Sequence, residues 1–274
     1  MAKVDTSIPG QASGAAADLA RRHAGDQGLK LYGGWFCPFV QRTWMTLCEK
    51  KIEHQYIEMN PYGKEAEFLR MNPRGLVPTL VVPGHGVLFE SSIICHYLDE
   101  AYANEAQHGP ALLPGEPFAK ARASLLIDHV NSRIIPAFYK LLQHTPTKAY
   151  SLDQARQELH GHLGYFVEQM DPVGPWTLGG SLSLVDISLA PWAKRLWLID
   201  HYKDGGVGIP AEGDAADDAV WKRWRAWFEA IVSRQSVKDT WSDDAAYIEA
   251  YKRYAQDTTR SLVGQATRQG QRLP

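Results

Sequence analysis

Along the first hundred residues the hydrophobic positions change period repeatedly, and each change marks an element. Leu29-Lys30-Leu31-Tyr32 alternates apolar and polar before Gly33-Gly34, which predicts a short strand. Beyond Cys37-Pro38, the apolar positions Val40, Trp44, Leu47 and Cys48 recur at helical spacing until Lys50-Lys51. A second strand is predicted over roughly 54–58. Strand, helix and strand in so short a span make a βαβ unit with parallel strands and a right-handed crossover. A short polar helix follows near 65–70, then a break at Asn72-Pro73-Arg74-Gly75. Thr79-Leu80-Val81-Val82 and Val87-Leu88-Phe89 flank Pro83-Gly84-His85-Gly86, the pattern of a hairpin. From Ser91-Ser92 a helix carries Ile94, Leu98 and Ala101 on one face.

After Pro110 to Pro117 the periodicity is helical throughout. Helices are expected over 118–143, with Pro136 as a kink, and over 151–170. Ser183-Leu184-Val185-Asp186 has the capping pattern ahead of an apolar run, for a helix reaching about Asp200. Asp204 to Asp218 is acidic and Gly-rich and reads as a loop, and helices follow near 219–233 and 244–259. The fold expected is an α/β N-terminal thioredoxin-like domain (βαβ-ββα) plus an all-α C-terminal helical domain. Residues 1–28 form a flexible N-terminal arm, 29–105 the sheet domain, 117–262 the helical domain and 263–274 a tail, frayed from Thr267.

Composition narrows the function. Of 274 residues, 45% are hydrophobic and 22% charged, enough to bury a substantial core. A formal charge of −2 and the lack of any basic run remove the electrostatic case for nucleic acid. No apolar stretch has membrane-spanning length, so no membrane partner is expected. The first 28 residues lack the apolar centre of a secretory signal, although Arg21-Arg22-His23 keeps a transit peptide as the alternative. Three cysteines suit a reducing, cytoplasmic setting better than a disulfide scaffold. The histidines show no H-E-x-x-H and no Cys/His pair at ligand spacing, so no metal is expected.

The densest chemistry is Trp35-Phe36-Cys37-Pro38-Phe39-Val40-Gln41-Arg42. Here a cysteine sits between a strand end and a helix start, with proline at the first helical position, where its missing N–H costs nothing. A thiolate there meets unpaired backbone N–H groups and the positive end of the helix dipole, which lower a thiol pKa. Cys48 lies eleven residues on, roughly 16 Å along a helix at about 1.5 Å per residue, too far for a disulfide with Cys37. Cys95, in Ile94-Cys95-His96-Tyr97, reads as core. A single reactive thiol needs an external thiol to turn over.

Cys37-Pro38-Phe39-x-x-Arg42 after the first strand, Asn72-Pro73-x-Gly75-x-Val77-Pro78 before the third, Glu90-Ser91 after the fourth and Ser183-x-x-Asp186 together resemble the glutathione transferase superfamily. The Cys-Pro-Phe start is similar to the cysteine-type omega class, and the likeness covers 29 to about 260. It implies that glutathione is the co-substrate, bound by Phe39, Lys64, Val77, Pro78, Glu90 and Ser91, with Cys37 catalytic. Glu90 would pair with the γ-glutamyl ammonium, and Ser91 with the helix N–H groups would hold the γ-glutamyl carboxylate. Ser91 also reads as a plain N-cap. The likeness implies a cis Val77–Pro78 bond that turns Val77 toward the cysteinyl part of glutathione, and Lys64 on the glycyl carboxylate. For a hydrophobic or oxidised co-substrate between the domains the candidates are Tyr139, Trp192, Arg195, Trp197, Tyr247 and Tyr254. The omega pattern favours Arg195 and the two C-terminal tyrosines. Tyr32, at the strand end where tyrosine-type transferases keep their own catalytic group, reads as structural.

The activity expected is an oxidoreductase-like thiol transfer: deglutathionylation of mixed disulfides or glutathionyl ketones, and dehydroascorbate reduction, through a Cys37–glutathione disulfide. A detoxification role and a homodimer follow from the same likeness. Two rivals stand beside it: a ligand-binding homologue for flat hydrophobic compounds, suggested by nine tryptophans, and a membrane-inserting relative of the intracellular chloride channels, which share the Cys-Pro-Phe start.

Overall fold

In a computed structural model, which describes residues 10–60, 66–214 and 219–274, the chain divides into two compact units. One takes the described residues up to Leu113 together with Ser233–Ala250. The other takes Pro114–Val232 and Tyr251–Pro274.

The first unit opens with a helix, α1 (Gly14–Arg22), where the sequence suggested only a flexible arm. Ala16 and Leu19 are buried in the unit's core. The Ala16 N–H donates to Trp241 O at 3.1 Å, Ser13 N–H to Ser242 Oγ at 3.2 Å, and Tyr56 N–H to His23 O at 2.8 Å. Small residues permit this close docking. At Gly14, φ is +55° and a Cβ would lie 2.7 Å from the Asp243 carboxylate. Pattern reading missed the helix because its apolar side is mostly alanine.

The sheet is built from β1 (Lys30–Gly33), β2 (Gln55–Glu58), β3 (Thr79–Val82) and β4 (Gly86–Phe89) in the order β2-β1-β3-β4. β1 runs parallel to β2, with Gly33 opposite Glu58, and antiparallel to β3. Between β1 and β2 lies α2 (Pro38–Glu49), and between β2 and β3 lies α3 (Ala66–Met71); α4 (Ser91–Ala101) follows β4 and α5 (Glu105–His108) closes the run. Leu31, Val40, Trp44, Leu47, Leu80, Ile94 and Leu98 fill the core between the sheet and its helices. Trp44 stacks on Tyr56, ring centroids 4.1 Å apart and 5° from parallel. Gly33 permits this approach, since a Cβ would come within 2.4 Å of Val40 Cγ1. The chain leaves this region under a buried ion pair. Lys50 Nζ lies 3.2 Å from Asp99 Oδ1 and from Pro110 O, and Asp99 accepts the Leu112 and Leu113 N–H groups.

In the second unit, α6 (Pro117–His129) passes through a π-helical turn over Val130–Ile134 into α7 (Ile135–Leu142). The expected bend at Pro136 is thus a change of helical pitch just before it, which accommodates the missing N–H and the ring. α8 (Leu152–Glu168) starts in a capping box from Ser151 to Gln154, and α9 (Leu184–Ala193) in one from Ser183 to Asp186. Asp186 also accepts Thr177 N–H, Thr177 Oγ1 and Trp227 Nε1, at 2.8, 2.6 and 2.9 Å. Every residue of α9 is buried.

The helix expected to reach Asp200 instead stops at Ala193 and resumes as α10 (Trp197–Tyr202). The buried Arg195 guanidinium takes the Pro191 carbonyl at 2.7 Å, while Arg195 N–H turns to Trp192 O. The side chain thereby claims the acceptor that an unbroken helix would give to its own backbone. α11 (Ala219–Ser233) completes this stretch.

The chain then returns to the first unit as α12 (Gln235–Asp239), which the sequence did not suggest. α13 (Asp244–Ala255) follows, its residues divided between the two units after Ala250. The tail, expected to fray from Thr267, is helical as α14 (Leu262–Gln269). Ser261 caps it, and Arg268 Nη2 donates to Thr259 O at 2.6 Å. Among the described residues no helix is long and apolar enough to cross a membrane.

Candidate active site around Cys37

The turn from β1 into α2 places the cysteine. Cys37 N–H donates to Gly34 O at 3.0 Å, and Cys37 O accepts the Gln41 N–H at 3.1 Å. Cys37 is therefore the N-cap residue of α2, with extended backbone (φ −78°, ψ 118°) and Pro38 as the first helical residue. Its thiol does not cap the helix. Cys37 is half-buried, with Sγ 4.0 Å from Val77 O.

Of the other two cysteines, Cys48 is also half-buried but lies near the C-terminal end of α2, and Cys95 is buried. Burial pushes the Cys48 thiol up to about 12, with help from the nearby Asp239 and Glu49 carboxylates. Burial also pushes Cys95 up, against a hydrogen bond from Thr46 Oγ1 at 3.2 Å. Both remain protonated thiols at neutral pH.

Opposite the thiol, the 72–79 loop is held by Asn72, which is fully buried. Its Nδ2 donates to Leu76 O at 3.0 Å and to Thr79 Oγ1 at 2.9 Å, and its Oδ1 accepts Arg74 N–H at 3.2 Å. The Val77–Pro78 peptide in this loop is cis.

At the junction of β4 and α4, Glu90 has φ +71°, an uncommon conformation for a non-glycine residue, and it occupies the cap position. Ser91 is the first helical residue, so it is not the N-cap. The Glu90 carboxylate pairs with Arg74, whose guanidinium lies 5.9 Å from the Phe89 ring. Ser91 Oγ accepts from the buried Arg42. Phe39 is half-buried with Arg42 Cζ 5.7 Å from its ring. Lys64 lies outside the described residues. Cys37, Val77, Pro78, Glu90, Ser91 and Phe39 all belong to the first unit.

Residues 36–101 match the family model for the glutathione S-transferase N-terminal domain, and residues 149–230 match that for its C-terminal domain. Glutathione S-transferase omega-1 of Sus scrofa is 34% identical over 169 residues, covering 61% of this chain and 67% of the relative. The chain belongs to the glutathione S-transferase family. Among solved structures, glutathione transferase Omega 3C from Trametes versicolor is 37% identical. It covers 85% of this chain and 98% of its own, with a TM-score of 0.74. A rice glutathione transferase, solved in complex with glutathione, is 25% identical over 81% of this chain and 96% of its own, with a TM-score of 0.66.

Within this transferase the co-substrate candidates separate into two groups. Tyr139, Trp192, Arg195, Trp197 and Tyr254 belong to the second unit, and Tyr247 to the first. Tyr139 and Tyr254 pack at 5.5 Å, Tyr254 and Tyr251 at 5.5 Å, and Arg195 Cζ lies 6.0 Å from the Tyr251 ring. Tyr139, Trp192, Arg195 and Tyr254 are buried, while Trp197 is half-buried. Tyr247 is buried between Trp35, at 5.2 Å, and Trp241, at 4.1 Å, and Trp35 packs edge-on against Phe36 beside the thiol. Tyr32 packs on Phe68 at 5.7 Å.

Sequence reading passed over Glu58. Burial pushes its carboxyl up to about 7, against a 2.9 Å hydrogen bond from Ala12 N–H. It shares a strand face with Tyr56, whose phenol is pushed up by burial and then by the Glu58, Cys37 and Tyr247 charges. The alternation of β2 carried that signal, because residues two apart point the same way. Among the described residues no group of three or more His, Cys, Asp or Glu side chains is arranged to hold a metal ion.

Proposed function

We propose that this glutathione transferase works as a thiol transferase through Cys37. The observation that carries the reading is the contrast among the three cysteines. Cys37 alone combines partial exposure with a helix N-terminus that stabilises a thiolate. Cys48 and Cys95 are held protonated by burial.

In the proposed cycle the Cys37 thiolate attacks the glutathione sulfur of a mixed disulfide. The Cys37–glutathione disulfide forms, the bond to the co-substrate breaks, and the co-substrate leaves as a thiolate that takes a proton from solvent. A second glutathione thiolate then attacks the adduct, giving oxidised glutathione and regenerating Cys37. With a glutathionyl ketone the leaving group is an enolate, protonated to the ketone. With dehydroascorbate two glutathiones supply the two electrons. Glu90, Ser91, Val77, Pro78, Phe39 and Lys64 bind glutathione in this reading, and the Arg195 and Tyr254 cluster faces the co-substrate.

On this reading the protein acts in the cytoplasm as a homodimer. Leu125 and Tyr165, exposed on α6 and α8, line a depression of about 230 Å³; with Phe118, exposed on α6, they are the apolar side chains a second copy would cover.

Intact mass after incubation with oxidised glutathione, for wild type and Cys37→Ser, tests the proposal beside a disulfide-exchange assay. One glutathione on Cys37, with exchange lost in the variant, is expected. An unmodified Cys37 without exchange would move the reading to a carrier of flat apolar compounds.

A further inference from the structure

Arg42 lies less than two turns along α2 from Cys37, and it is 2% exposed. From between α2 and α4 its Nη1 donates to Ser91 Oγ at 3.4 Å. The Thr46 hydroxyl bridges the Arg42 carbonyl, at 2.9 Å, and the Cys95 sulfur, at 3.2 Å, which fixes this part of the interface. A guanidinium stays charged at every working pH, and burying one is costly. Here the charge is buried below the N-terminus of an eleven-residue helix whose first turn carries no acidic residue. Glu90, the cap residue of that helix, is engaged by Arg74. Two positive features, the helix end and the guanidinium, therefore converge on Ser91. Because Arg42 occupies an acceptor site of the Ser91 hydroxyl, the hydroxyl hydrogen is left to donate elsewhere.

We infer that Arg42 is a positioning residue for glutathione capture, acting through Ser91 on the α-carboxylate of the γ-glutamyl group. The inference rests on the thiol-transferase reading of this site. Arg42 orients the Ser91 hydroxyl toward that carboxylate and adds its charge to the field of α4. Its effect falls on one group of the ligand.

The test compares the Kd of S-methylglutathione, which cannot form a disulfide, with that of the same compound lacking the γ-glutamyl α-carboxylate. Proteins are wild type, Arg42→Gln, Arg42→Lys, Ser91→Ala and the double variant Arg42→Gln/Ser91→Ala, each with its Tm. Arg42→Gln is expected to weaken S-methylglutathione about tenfold, the usual scale of one charge-assisted hydrogen bond. The decarboxylated analogue should bind wild type and variant alike. In the Ser91→Ala background the Arg42 effect should shrink, and Arg42→Lys should recover part of the affinity. Equal losses for both ligands, additive losses in the double variant, or no loss would each overturn the inference and leave Arg42 a packing residue. Should Arg42→Gln not fold, Arg42→Lys gives the same two-ligand comparison. Wild type that binds neither ligand and takes no glutathione on Cys37 would overturn the glutathione reading itself, a failure visible before any variant is made.

Discussion

Selectivity among the cysteines can be checked without any substrate. With its thiol pushed up to about 12, chiefly by burial, Cys48 is overwhelmingly the protonated, weakly nucleophilic form at pH 7.5. Brief iodoacetamide treatment followed by peptide mass mapping should label Cys37 alone, with Cys48 and Cys95 labelled only in denaturant. Early labelling of Cys48, which is half-buried like Cys37, would contradict its raised pKa. Glu58 gives a pH signature. Its folded pKa, about 7, stands above its ordinary value, so the folded protein binds more protons than the unfolded chain between about 4.5 and 7. Stability from this group is present at low pH and is lost as pH rises through 7. Glu58→Gln keeps the acceptor for Ala12 N–H, and should raise Tm at pH 8 with little change at pH 4.5. His54 slopes the other way: burial lowers it to about 4, so its contribution is lost as pH falls from 6.5. Each variant is therefore read against wild type at the same pH. The position of Cys37 was legible because a strand end, a cysteine and a proline adjoin in sequence. Glu58 was not, since its environment depends on Ala12 arriving from 46 residues away.

At the scale of elements, the Ser183–Asp186 capping box does more than start a helix. Asp186 gathers donors from Thr177, Ser183 and Trp227, binding the turn before α9 and the face of α11 to one carboxylate. Asp186→Ala leaves several buried donors unpaired and should cost about 3 kcal/mol or more, measured by urea unfolding. A loss below about 1 kcal/mol would show that water replaces the carboxylate. Local spacing announced this box correctly, because the two bonds that define it join residues three apart. The break between α9 and α10 was hidden, because it depends on which acceptor the Arg195 side chain takes once buried. The sheet order β2-β1-β3-β4 was legible for a different reason: the βαβ crossover has one handedness and the β3–β4 hairpin is local.

At the scale of the whole molecule, the units do not follow the chain in two consecutive blocks, for Ser233–Ala250 rejoins the first. Pattern reading assigns this segment to the helical domain because its period is helical, and period does not report which core a helix enters. Lys50 and Asp99 show how the first unit is closed before the chain departs. Lys50→Met, which leaves Asp99 buried without its cation, should destabilise by about 3 kcal/mol or more in chemical denaturation. Unfolding indistinguishable from wild type would remove this pair from the stability account. The segment before Lys30 has a further consequence. β2 ends the sheet, and its outward Tyr56 N–H is taken by His23 O while the His23 ring stacks on His54, 4.1 Å away. An uncovered strand at a sheet margin is a template on which another chain can add its own strand. Removing residues 1–24 should therefore do more than lower Tm. Concentrated samples should scatter light and form strand-rich assemblies near their melting temperature, so α1 is a guard against self-association as much as a part of the core.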